Sequence, residues 1–230
     1  ATDGQILEEG ISECGAISSF IAAGTSHANN SQPMIPFFIF YSMFGFQRIG
    51  DSIWAAADMR TKGFLIGGTA GRTTLNGEGL QHQDGRSLLH ASTVPSCRAW
   101  GPAYAYELAT IIENGIEEMW GKDKDIFHYI MLYNQNEQQP PKPKGIDADL
   151  MRGAYLFSET KDGDSPVIRL LGSGPILSHV REAAELLKEY GVRSEVWSVP
   201  SYGELRRAGL AAERATRLDP QNPQSAFVSE

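Results

Sequence analysis

Met34-Ile35-Pro36-Phe37-Phe38-Ile39-Phe40-Tyr41 is an unbroken apolar run apart from its proline, and residues 46–60 behind it return to helical spacing. A run this short and this rich in aromatic side chains reads as a strand buried on both faces that feeds a helix. The same alternation repeats on either side. Residues 5–23, with Leu7, Ile11, Cys14 and Ile21, are predicted as a helix. Gly63-Phe64-Leu65-Ile66-Gly67 is a second short strand, and a Gly/Thr/Asn-rich loop follows to Gly85. A weaker strand covers residues 96–99, an amphipathic helix residues 103–120, and a further strand residues 126–133. Strand alternating with helix predicts an α/β fold: a mostly parallel sheet flanked by helices.

That unit is predicted to end at residue 134. Residues 135–150 are polar and carry Pro140, Pro141 and Pro143, as an interdomain linker does. Residues 151–230 read as the incomplete start of a second α/β domain. Val167-Ile168-Arg169-Leu170-Leu171 is its strand, Gly172-Ser173-Gly174-Pro175 a tight turn, residues 176–190 a helix, residues 192–199 a strand and residues 202–217 a helix. The turn lacks the third glycine of a dinucleotide fingerprint, so a plain strand-to-helix turn is the better reading.

Composition narrows the function classes. With 230 residues, 41% hydrophobic and 21% charged, the chain is long enough to bury a sizeable core. A net charge of −8 and no basic stripe argue against nucleic acid or an acidic membrane as partner. No apolar stretch reaches the roughly 20 residues that a membrane-spanning helix needs. Only two cysteines, Cys14 and Cys97, argue against a disulfide framework and for a reducing cytoplasm. No secretory signal is visible. The sequence lacks an initiator Met and stops soon after Asn222-Pro223, so both ends read as cut.

Chemistry is concentrated in three places. On a helix over residues 5–23, Glu8 shares a stripe with Ser12, Gly15 and Ser19, a solvent face. Glu13 shares its stripe with Ile6, Gly10, Ala16, Ile17 and Phe20, where a carboxylate is partly desolvated and inclined to stay neutral. A helix-edge glutamate whose stem packs while its head reaches water is the other reading. Residues 37–46 hold six aromatics. Tyr41 and Phe44 fall at the strand's C-terminal end, where α/β sheets bind ligands, although core filling is the commoner use of such rings. The loop from Gly68 to Arg86 contains five glycines and five ionisable residues counting His82, and is either functional or a solvated excursion. His82 and Asp84 have no metal-ligand spacing with another His or Cys, and no G-x-S-x-G elbow occurs.

Ile6-Leu7-Glu8-Glu9-Gly10-Ile11-Ser12-Glu13, Pro33-Met34-Ile35-Pro36, Tyr41-Ser42-Met43-Phe44-Gly45-Phe46-Gln47-Arg48-Ile49-Gly50-Asp51 and Gly71-Arg72-Thr73-Thr74-Leu75-Asn76-Gly77-Glu78-Gly79-Leu80-Gln81-His82 closely resemble the homodimeric, bacterial-type pyruvate dehydrogenase first component. This family is the acetyl-transferring decarboxylase of the pyruvate dehydrogenase complex. The similarity runs from about residue 4 to about residue 217. The shorter Gly-Ile-x-Glu pattern is shared with transketolases.

The resemblance implies a thiamine-diphosphate enzyme in which the cofactor brings the carbanion chemistry and the protein orients and tunes it. Glu13 matches the catalytic glutamate that hydrogen-bonds the pyrimidine ring nitrogen and drives its tautomerism. Tyr41 and Phe44 match aromatics that line and stack on the pyrimidine. Ile11 matches the bulky apolar residue that keeps the cofactor bent. His82 matches a histidine facing the substrate, with Arg48 and Glu78 as supporting polar groups. Arg86 stands where the family pattern has a second histidine, which puts a role for that position in doubt. Mg²⁺ and the diphosphate are held in the family by a Gly-Asp-Gly motif on a domain N-terminal to this region. No Gly-Asp-Gly occurs here, so this chain is expected to contribute no metal ligand. The implied partners are a second subunit of a homodimer, pyruvate, and the lipoyl domain of a dihydrolipoamide acetyltransferase. A transketolase-like ketol transferase and a non-catalytic dimerisation or scaffold fragment are the alternative readings.

Overall fold

A computed structural model of the chain describes residues 4–68, 79–160 and 165–229. Four strands, β1 (Phe37–Tyr41), β2 (Phe64–Gly68), β3 (Cys97–Trp100) and β4 (Phe127–Met131), form a sheet in the order β1-β2-β4-β3. Every neighbouring pair is parallel. Between them lie helices α1 (Glu13–Gly24), α2 (Ser26–Asn29), α3 (Ser42–Asp58), α4 (Ser87–Ala91) and α5 (Ala105–Ile116), the last prolonged by a wide turn, Glu117–Gly121.

Strand alternation sorts the core into two layers. Leu65, Phe127, Tyr129 and Met131 pack with Ile17 and Phe20 of α1 and with Phe46, Ile49 and Ile53 of α3. Phe64, Ile66 and Ile130 face the other way, onto Ile111 of α5 and Met119. The inner strands β2 and β4 are buried along almost their whole length.

β1 departs from its predicted burial on both faces. It is the sheet's edge, and Ile39 is 70% exposed, with Phe37 and Tyr41 close to half exposed beside it. Phe40 alone is buried in this strand, stacked on Tyr129 with ring centroids 6.0 Å apart. Gly45 makes room for it, since a Cβ there would lie 2.0 Å from the Phe40 ring.

The first helix also differs. It begins at Glu13, not near Gln5, because Ser12 caps it by accepting from Gly15 N at 3.3 Å. Gly10 turns the preceding chain at φ +66°, and residues 4–12 run outside any helix with Ile6, Leu7 and Ile11 in solvent. The stripe that grouped Glu13 with Ile6 and Gly10 therefore does not form.

After β4, residues 132–146 carry neither helix nor strand. Helix α6 (Asp147–Arg152) then leads to β5 (Tyr155–Glu159), β6 (Val167–Gly172), α7 (Ile176–Glu189), β7 (Arg193–Ser198) and α8 (Tyr202–Leu218). The predicted strand–helix–strand unit is β6-α7-β7, with β6 and β7 parallel. β5 was not foreseen: it adds antiparallel to β7 and gives the order β5-β7-β6.

The two sheets meet through polar contacts. Gly101 N donates to Pro200 O at 2.7 Å, Ser201 Oγ to Ala99 O at 2.7 Å, and Arg98 pairs with Glu204. Among the described residues no helix is long and apolar enough to cross a membrane.

Candidate functional site

Tyr41 is both the last residue of β1 and the cap residue of α3, so the sheet's C-terminal edge and the first turn of a helix meet there. Phe44 lies in that first turn, and Arg48 follows one turn later on the same face. The Arg48 guanidinium sits 4.2 Å from the centroid of the Phe44 ring. Its Nη1 also donates to Glu13 Oε1 at 2.6 Å, which ties α3 to the first residue of α1. The Glu13 side chain is 16% exposed. It is sheltered in its ion pair with Arg48, not on the apolar stripe from which the sequence argued desolvation.

His82 closes a short 3₁₀ turn, Leu80–His82, between β2 and α4 in the chain. Its ring centroid lies 5.0 Å from that of Tyr41 and 5.4 Å from that of Phe44. Tyr41 and Phe44 meet edge-on at 6.4 Å. His82 Nδ1 is buried without a hydrogen-bond partner among the described residues. Three separate segments of the chain thus form one continuous cluster: Glu13, Arg48, Phe44, His82 and Tyr41. Because Tyr41 is half exposed, the cluster opens to solvent on one side.

Ile11 stays out of the cluster; it is 98% exposed, two residues before Glu13. Glu78 lies outside the described residues. Arg86 is exposed; its backbone N–H donates to Asp84 Oδ1 at 3.0 Å and its carbonyl accepts from His90 N at 2.9 Å. Among the described residues no group of three or more His, Cys, Asp or Glu could hold a metal ion. A cleft of about 220 Å³, lined by Tyr104, Tyr133, Gly174 and Pro175 among others, lies beyond the ends of β3 and β4, away from the ring cluster.

Sequence reading missed the buried polar groups around this cluster. Asp84 is buried and accepts from Ser87 N at 3.0 Å and from Ser87 Oγ, while Ser87 Oγ accepts from the Tyr129 hydroxyl at 2.9 Å. Burial holds the Tyr129 phenol far above its usual range, so it remains a donor. The available signal was an Asp placed before an apolar helical stretch, which is a capping pattern.

The family profile for the pyruvate dehydrogenase E1 component middle domain matches residues 1–140. The chain belongs to the pyruvate dehydrogenase E1 component family. A second profile, the transketolase-like TK C-terminal domain, matches residues 153–227. The pyruvate dehydrogenase E1 component of Pseudomonas aeruginosa is 59% identical over 229 residues, which is 99% of this chain and 26% of that protein. The pyruvate dehydrogenase E1 component of Escherichia coli K12 is 52% identical over 230 residues, 99% of this chain and 26% of that protein. This chain therefore spans about a quarter of the length of these relatives. Transketolase from Campylobacter jejuni superposes with a TM-score of 0.64 at 22% identity, over 81% of this chain and 27% of that one, which is a likeness of fold. Both the pyruvate dehydrogenase E1 and the transketolase-like families depend in general on thiamine diphosphate.

Proposed function

We propose that this chain supplies the aminopyrimidine-activating half of a thiamine-diphosphate site, in an enzyme that decarboxylates pyruvate and passes the acetyl group to the lipoyl domain of a dihydrolipoamide acetyltransferase. The observation that carries the reading is the single cluster of a carboxylate, an arginine and three aromatic rings at the C-terminal edge of the sheet, open on one side. The residues suit the group. Tyr41 and Phe44 offer rings for a flat heterocycle to lie against. His82 has a buried nitrogen in want of a partner. Glu13 offers a sheltered carboxylate that can hold or share a proton with a ring nitrogen.

Thiamine diphosphate, when bound, supplies a thiazolium carbon that serves as nucleophile and electron sink. Glu13 would exchange a proton with the ring nitrogen at its carboxyl oxygen, and Arg48 fixes that carboxyl by its 2.6 Å bond. Tyr41 and Phe44 bind and orient the ring. His82 moves a proton at the substrate side. Ile11 and Glu78 keep their proposed roles, as the bulky residue under the cofactor and as a supporting carboxylate. Mg²⁺ and the diphosphate would be held by a domain outside this chain, across the interface of a homodimer, in the cytoplasm. Residues 1–134 are the pyrimidine-binding domain, 135–150 the linker and 151–230 the start of the C-terminal domain. The relatives' names favour pyruvate chemistry over ketol transfer, since the transketolase likeness is one of fold.

The test is an assay of the full-length protein with pyruvate and a lipoyl domain beside ketose donors. Acetylated lipoyl domain is the expected product. Ketol transfer with no reaction of pyruvate would overturn the assignment. The isolated chain, titrated with thiamine diphosphate and Mg²⁺, is expected to bind weakly; tight binding would contradict the half-site reading.

A further inference from the structure

Asp84 is 3% exposed and has no Lys, Arg or His within ion-pair reach among the described residues. Burying a carboxylate without a cation is costly unless every oxygen is well hydrogen-bonded. Here Oδ1 accepts from Arg86 N and Ser87 N, each at 3.0 Å, and Oδ2 accepts from Ser87 Oγ. Ser87 Oγ in turn accepts from the Tyr129 hydroxyl at 2.9 Å. Tyr129 lies on the inner strand β4, fully buried, its ring packed 4.9 Å from that of Phe46 and 6.0 Å from that of Phe40. The chain Asp84–Ser87–Tyr129 therefore bolts the residues just after His82 to a fully buried inner strand of the sheet.

His82 needs such an anchor. Its Nδ1 has no partner, so no hydrogen bond there fixes the ring, and ring contacts with Tyr41 and Phe44 resist rotation only weakly. The placement of the imidazole is set by its backbone. On one side the 3₁₀ turn is closed by His82 N donating to Gly79 O and Gln83 N to Leu80 O. On the other, Asp84 is the first residue with a buried attachment. A cap alone would be served equally by Asn or Ser. The carboxylate is distinguished by Oδ2, which accepts the Ser87 hydroxyl proton while that hydroxyl receives Tyr129. An amide there would turn its Nδ2 toward the Ser87 oxygen, which would then accept twice and be left with only Met131 Sδ, at 3.6 Å, for its own proton.

We infer that Asp84 is a positioning residue: through Ser87 and Tyr129 it aims His82 at the reacting face of the proposed site, without itself touching substrate. The inference rests on the proposed role of His82. A displacement of about 1 Å in a catalytic group can cost on the order of 100-fold in rate, so the effect belongs in kcat.

The experiment is a double-mutant cycle in the full-length enzyme, with kcat and KM for pyruvate and the dissociation constant of thiamine diphosphate read for each variant. Asp84→Ala is expected to lower kcat by roughly 10- to 100-fold and to change KM and cofactor affinity by less than about threefold. Asp84→Asn keeps the cap and the fold, and is expected to lower kcat by roughly 3- to 10-fold. In a His82→Ala background both substitutions should be almost silent, within about twofold. Wild-type kcat in Asp84→Asn, or losses that multiply with that of His82→Ala, would overturn the inference while leaving the site reading in place. Full turnover by His82→Ala would overturn both together.

Discussion

His128 is fully buried on β4, and its Nδ1 accepts from Trp100 Nε1 at 3.0 Å, which leaves the ring proton on Nε2 without a partner among the described residues. Burial pushes its pKa down to about 3. An unfolded histidine titrates near 6.5. Because the folded value is depressed, the contribution of neutral His128 is fully present above the unfolded value and is lost as pH falls toward the folded one. Urea unfolding of the chain between pH 7 and 3.5 should show the wild type losing about 1.4 kcal/mol per pH unit more than His128→Asn below about pH 6.5. Parallel pH curves would show that His128 is hydrated or charged in the folded chain. Side chains of this kind were illegible in the sequence: a histidine inside an apolar run looks like any other until its neighbours across the sheet are known. Glu13, Tyr41, Phe44 and His82 were singled out together only by the family resemblance, since their own patterns left the plainer readings open, and the fold brings all four together. Asp84 was read only for metal spacing, since Tyr129, which it reaches through Ser87, lies on a strand 45 residues away.

Among the elements, the parallel strands and the long helices were read correctly because each has an apolar pattern of its own. What failed was set by neighbours. β1 was predicted as buried on both faces from its run of aromatics, yet its burial depends on its rank in the sheet, and it is an edge. α1 was predicted eight residues too early because periodicity ignores a cap: Ser12 and Gly10 decide the start. β5 pairs antiparallel through a register shift between Leu156 and Ser158, which has no signature in a five-residue sequence. The exposed edge has a consequence for stability. Ile39→Lys should change the unfolding free energy of the isolated chain by less than about 0.5 kcal/mol, as exposed positions do. A loss of about 3 kcal/mol or more, typical of a buried aliphatic, would place Ile39 in a core.

For the molecule as a whole, Glu107 is the joint between the two sheets. It sits on α5, fully buried, and accepts from Tyr155 Oη of β5 at 2.7 Å, from Ser198 Oγ of β7 at 2.6 Å and from Ala103 N at 2.5 Å. Burial raises its pKa, and the three donors oppose the rise. With the folded value above the unfolded one, near 4.3, its stabilising contribution is complete below the unfolded value and diminishes as pH climbs through the folded one. Glu107→Gln retains an acceptor for Tyr155 and Ser198 and does not titrate. Relative to the wild type it should therefore gain stability as pH rises above about 4.3. A difference that stays constant with pH would show that Glu107 is ionised at no cost. Glu107→Ala, which strands buried hydroxyls, should cost about 2–4 kcal/mol below about pH 4.3 and less as pH rises. The second sheet was legible as a strand–helix–strand start, but this joint was not, because its partners come from segments 48 and 91 residues away.

The central claim is that Glu13, in the shelter of Arg48 and the Tyr41–Phe44–His82 rings, performs proton chemistry for a cofactor held largely by residues outside this chain. Glu13→Gln keeps the side chain's shape and a hydrogen-bonding oxygen for Arg48 and removes only the acid. Its kcat for pyruvate, measured in the full-length enzyme saturated with thiamine diphosphate and Mg²⁺, should fall by roughly 10²- to 10⁴-fold, the range of general acid–base catalysis. A kcat within about threefold of the wild type would contradict the account.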